Sequence, residues 1–100
     1  MHTALTIAGF DGSGGAGIQA DLKTFSSLGC YATTVLTALP VQNTCGVRSI
    51  HELTVSCIEE QMRAVLEDIP PAAVKIGMLY RGEIIGTVCA LLSEYSHGLS

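Results

Sequence analysis

One hundred residues, 48% of them hydrophobic and only 14% charged, make one domain or part of one, with elements buried on both sides. The greasiest runs, 35-VLTALPV-41 and 84-IIGTVCALL-92, fall well short of the roughly 18 to 20 apolar residues of a spanning helix, and MHTALTIAG lacks a basic segment ahead of its apolar stretch, which sets aside membrane insertion and a secretory leader. A net charge of −4, with Lys23, Arg48, Arg63, Lys75 and Arg81 scattered rather than clustered, argues against a nucleic-acid partner.

Residues 3–8 (TALTIA) read as a first strand and 9–17 as a glycine loop. A helix over 16–28 follows, with Ile18, Leu22, Phe25 and Leu28 at helical spacing and Gly29 at its end. Residues 30–39 (CYATTVLTAL) have the β-branched, apolar character of a second strand, with Pro40 just beyond it. After the polar segment 42-QNTCG-46 comes a short strand, 47-VRSIHEL-53. The next helix spans 55–68, with Ser56 and Glu59 spaced as a capping box and Ile58, Met62, Val65, Leu66 and Ile69 facing the core. Pro70 and Pro71 end it. A strand over 72–78 (AAVKIGM) and a helix over 82–95, with Ile85, Val88, Leu92 and Tyr95 inward, complete the pattern. The order β-α-β-β-α-β-α predicts a layered α/β fold with a mostly parallel sheet. The trailing SHGLS adds no closing element, so the chain reads as the first part of a larger fold.

The four cysteines (Cys30, Cys45, Cys57 and Cys89) form no C-x-x-C pair, in keeping with reduced thiols in a cytoplasmic protein. His2, His51 and His97 are equally dispersed, and no metal site is expected.

The stretch 5-LTIAGFDGSGGAGIQAD-21 carries the chemistry: strand, glycine loop, helix. A phosphate-binding loop of the G-x-x-x-x-G-K-[ST] kind needs its lysine at the helix start, whereas Lys23 comes six residues after Gly17, nearly two turns along. Gly12, Gly14 and Gly17 match G-x-G-x-x-G, but the acidic residue that holds the ribose is missing, since no Asp or Glu lies between Asp21 and Glu52. Glycines can also serve merely to let strand and helix meet tightly. Five of them in nine residues, ahead of a helix N-terminus, favour a backbone that a ligand approaches closely.

The stretches 4-ALTIAGFDGSGGAGIQADLKTFSSLG-29, 37-TALPVQNTCGV-47 and 74-VKIGML-79 resemble, in order and spacing, the N-terminal part of the hydroxymethylpyrimidine/phosphomethylpyrimidine kinases of thiamine biosynthesis, within the ribokinase-like superfamily. The resemblance implies residues 1–100 as a partial ribokinase-like domain carrying the pyrimidine side. It also implies ATP-dependent phosphorylation of 4-amino-5-hydroxymethyl-2-methylpyrimidine and then of its monophosphate, with Mg²⁺ accompanying ATP. Gly9, Ala16, Pro40, Gln42 and Met78 match substrate-lining positions, and Asp21 a possible phosphate or Mg²⁺ side. Phe10 and Gly12 depart from the family's usual serine or threonine and proline, and Pro40 stands where a small or β-branched residue is usual. No counterpart of the family's late G-T-G-C-like motif occurs, so no catalytic residue is assigned and the chain by itself is expected to be inactive. The complete protein is expected to be a homodimer. Two alternatives remain beside this reading: a non-catalytic pyrimidine-binding or vestigial module, and a pyridoxal-type kinase. A plain α/β interaction domain is the third. Gln42 favours the pyrimidine, because its carboxamide offers a donor and an acceptor side by side, matching a 4-amino group and the adjacent ring nitrogen.

Overall fold

Alternating apolar residues in the first strand set the layering. In the computed structural model, which describes residues 2–95, β1 (Thr3–Ala8) is central, β2 (Tyr31–Leu36) flanks it on one side and β5 (Ala73–Ile76) on the other, all parallel. The register pairs Ile7 with Val35 and with Ile76. Leu5 and Ile7 point to one face, where they join Val35 and the buried side chains of α2 (Val55–Asp68) and α3 (Gly82–Tyr95): Ile58, Met62, Leu66, Ile84, Val88 and Leu91. Thr6 points to the other face, toward α1 (Gly17–Ser27), and its hydroxyl donates to Asp21 at 2.6 Å. Helix, sheet, helix is the expected α/β layering with a parallel sheet.

The stretch expected as one strand over 30–39 is two. It breaks at Thr37, which is fully buried; its N–H donates to the Ala8 carbonyl at 3.0 Å, and its hydroxyl reaches the Met78 carbonyl at 3.4 Å. Beyond the break, β3 (Ala38–Asn43) turns away and pairs antiparallel with β4 (Gly46–Glu52), a two-stranded ribbon outside the main sheet. Pro40 therefore lies inside a strand, opposite Ile50, rather than past the end of one. A two-stranded ribbon has free edges, so a missing N–H is tolerated there. Gln61 of α2 secures the branch point. Its amide oxygen accepts from the Leu36 N–H at 2.8 Å and its amide nitrogen donates to the Leu36 carbonyl at 2.9 Å, pairing with the backbone as a neighbouring strand would.

Three local expectations shift. Thr54, not Ser56, caps α2, its hydroxyl accepting from the Cys57 N–H at 3.0 Å. In α3 the inward residue is Ile84, while Ile85 is 50% exposed. Leu28 falls just past α1 and is 71% exposed, so the apolar face of that helix is Ile18, Leu22 and Phe25, each partly buried. All four cysteines are free, with Cys45 and Cys89 exposed. Among the described residues no helix is long and apolar enough to cross a membrane. The SHGLS tail, with His97, lies outside the described residues.

Candidate functional site

Parallel strands deliver their carboxyl ends to one edge of a sheet, and the crevice beyond those ends is where α/β folds bind ligands. Beyond β1 and β5, with the β3–β4 ribbon as the facing wall, lies a cavity of about 420 Å³. Gly9, Ala16, Pro40, Gln42 and Met78 all line it. Five residues drawn from three separate stretches of sequence thus converge on one space. The cavity has an apolar floor and wall, with Ala8, Phe10, Val47 and Ile50 also present, and a few polar groups, chiefly Gln42, Asp11 and Lys75. That mix suits a small planar ligand oriented by a few hydrogen bonds.

The glycine loop is held from within. Asp11, 5% exposed, turns its carboxylate back into the loop. One oxygen accepts from the Ser13 N–H at 3.0 Å and hydroxyl at 2.7 Å, and the other from the Ala16 N–H at 2.8 Å. Its own N–H donates to Gln19 at 2.9 Å, and its carbonyl accepts from Gly14 at 3.0 Å. The Ser13 hydroxyl and N–H, with further N–H donors from Ala16 and Gly15, hold the Asp11 carboxyl below the usual carboxylate range. In a phosphate-binding loop such N–H groups point at the ligand. Here the Asp11 carboxylate takes those of Ser13 and Ala16, so they are turned into the loop rather than toward a ligand.

Gly17 is a glycine by necessity. It has φ +64°, and a Cβ there would run into the carbonyl oxygen of Gly9, which accepts the Ile18 N–H at 3.0 Å and so starts α1. Gln42 is anchored by its amide nitrogen to the Phe10 carbonyl at 3.3 Å. That bond uses one of two amide N–H donors and leaves the carbonyl oxygen and the second N–H for a ligand.

Asp21 lines no part of the cavity. Its carboxylate accepts from Thr6 and forms a 3.0 Å ion pair with Lys75, and it is Lys75 that borders the cavity. Among the described residues no three His, Cys, Asp or Glu side chains gather as a metal site.

Sequence reasoning missed Asp11, Lys75, Val47, Ile50 and Tyr80 as parts of this site. Asp11 and Lys75 stood within the quoted stretches, and Tyr80 directly follows one of them. Val47 and Ile50 reach the cavity only because the ribbon folds over it, a tertiary fact with no local signature.

Comparison with known proteins bears on this geometry. A family model described as phosphomethylpyrimidine kinase matches residues 11–99. The hydroxymethylpyrimidine/phosphomethylpyrimidine kinase of Bacillus subtilis is 48% identical over 95 residues, which are 95% of this chain and 35% of that protein. Among solved structures, a phosphomethylpyrimidine kinase from Clostridium difficile 630 superposes with a TM-score of 0.92 at 53% identity, covering 96% of this chain and 42% of the other. A pyridoxal kinase from Bacillus subtilis, solved as an ADP complex, superposes with a TM-score of 0.87 at 39% identity, covering 96% and 38%. The chain spans about a third of the length of the curated kinase it matches in Bacillus subtilis.

Proposed function

This chain belongs to the phosphomethylpyrimidine kinase family, and from that premise we propose that its cavity is the acceptor side of an ATP-dependent kinase for 4-amino-5-hydroxymethyl-2-methylpyrimidine and its monophosphate. The observation that carries the reading is the convergence of Gly9, Ala16, Pro40, Gln42 and Met78 on one cavity of about 420 Å³. In this reading the Gln42 carboxamide, braced by Phe10, accepts from the 4-amino group and donates to the adjacent ring nitrogen. Met78 and Pro40 pack against the ring. The backbone at Gly9 and the small side chain of Ala16 border the space for the hydroxymethyl group, beside the Tyr80 phenol. Asp21 belongs to the phosphate side through Lys75, whose ammonium it steadies beside the cavity. In the complete enzyme ATP with Mg²⁺ would supply the phosphoryl group, and the groups that activate the hydroxyl would come from the remainder of the kinase fold. Residues 1–100 are thus the pyrimidine-binding part of a kinase domain, and the complete enzyme is a cytoplasmic homodimer.

The pyridoxal alternative shares the fold but leaves Gln42 without a complementary edge to read. Titration calorimetry separates the two. The pyrimidine should bind the chain, pyridoxal should bind more weakly, and Gln42→Met should weaken the pyrimidine alone, by about five- to 150-fold for a bidentate amide contact. Unchanged pyrimidine affinity in that variant removes Gln42 from the site. Joining the chain to the remaining two-thirds of the Bacillus subtilis relative tests the catalytic reading: phosphorylation of the pyrimidine supports a kinase, and binding without turnover supports the non-catalytic module.

A further inference from the structure

Tyr80 combines three features that structural need alone does not explain. It sits at φ +69°, the one positive value outside glycine among the described residues. Left-handed geometry disfavours a residue with a Cβ by about 1–2 kcal/mol, so a glycine would satisfy this turn better. Its ring lies over Gly9, with the hydroxyl 2.7 Å and two ring carbons 3.4 Å from where a Gly9 side chain would begin. Tyr80 thus fills the space that the missing side chain leaves, on the border of the cavity, between Met78 and the loop. Finally, its hydroxyl makes no hydrogen bond to another described residue, and the side chain is only part-buried, the residue being 38% exposed.

Strained backbone at the edge of a binding cavity is a pointer from geometry to ligand contact. We infer that Tyr80 is a specificity-determining residue of the cavity: its ring is a wall against the flat face of a heteroaromatic ligand, and its hydroxyl is the hydrogen-bond partner of a polar substituent on that ligand. The inference rests on the aminopyrimidine reading above and deepens it. It gives the turn between β5 and α3, which already carries Met78, a second and direct part in choosing the substrate. A Cβ at position 9 would meet the phenol.

The test is calorimetric titration of 4-amino-5-hydroxymethyl-2-methylpyrimidine into the chain, its Tyr80→Phe variant and its Tyr80→Gly variant, with circular dichroism confirming that each is folded at the titration temperature. Tyr80→Phe keeps the wall and loses only a hydroxyl that bonds no other described residue. It should melt with the parent and bind about two- to tenfold more weakly. Tyr80→Gly suits the positive φ, removes the wall and should lose at least about fivefold. Parent-like affinity in both variants overturns the role of Tyr80 while leaving the pyrimidine reading intact. If the parent chain takes up no pyrimidine, the reading of the cavity falls and the role of Tyr80 with it.

Discussion

Replacing Gly17 with alanine is expected to unseat the start of α1, and the size of the effect follows from three contacts. An alanine held at φ +64° costs about 1–2 kcal/mol. Its Cβ would collide with the Gly9 carbonyl oxygen and stand 3.2 Å from the Asp11 nitrogen, both of them backbone, so no side chain can swing away. Moving that carbonyl weakens the 3.0 Å bond from the Ile18 N–H, a further 0.5–1.5 kcal/mol or so. The sum is about 1.5–3.5 kcal/mol, and at about 4–8 °C per kcal/mol for a domain of this size the melting temperature should fall by at least about 6 °C. Gly86 supplies the control. It lies within α3, has an ordinary φ and nothing within 4 Å of a built Cβ, so Gly86→Ala should gain about 0.5–1 kcal/mol and melt higher. Thermal unfolding followed by circular dichroism reads both. A Gly17→Ala variant melting within about 2 °C of the parent would refute the collision and the loop geometry that implies it.

The internal anion gives a pH dependence. Because the folded-state carboxyl of Asp11 is lowered, its contribution is present above the unfolded value of about 3.9 and is lost as pH falls through the folded value. Asp11→Asn should therefore be less stable than the parent near neutral pH and lose less stability on acidification below about pH 4; parallel stability–pH curves for the two would remove the carboxylate from this role. Gln61→Leu keeps the side chain's bulk but strands the N–H and C=O of Leu36, so urea unfolding should show a loss of about 1–3 kcal/mol, and an unchanged midpoint would mean that water replaces the amide without cost.

Much of the layered core was legible because its signal is local and repeated. Ile58, Met62 and Leu66 recur at helical spacing, and β1 alternates between two buried faces, so element type and facing follow from period alone. The ribbon was not legible. The run CYATTVLTAL is uniformly apolar and β-branched, and nothing in it marks Thr37 as the place where the chain leaves the sheet. The break comes from bonds to Ala8 and Met78, 29 and 41 residues away in sequence. Ile85 was misplaced for a smaller reason: adjacent isoleucines at 84 and 85 fit a helical stripe equally well, and only the packing of α3 on α2 selects Ile84. In the site, the five positions that line the cavity came through resemblance, while Tyr80 and Lys75 needed coordinates, because a strained turn and an ion pair between β5 and α1 leave no trace in spacing.

The β3–β4 ribbon divides labour within the molecule. It contributes Pro40, Gln42, Val47 and Ile50 to the cavity, yet only Ala38 and Pro40 among its residues are buried, and every residue of β4 is exposed. The hydrophobic cluster that stabilises the domain is built without it. Substitutions in the ribbon can therefore reshape what the cavity accepts while hardly touching the free energy of folding. On the pyrimidine reading proposed above, the ribbon is one place where the shape of the cavity could change, Tyr80 being another, with the sheet and its helices left as they are.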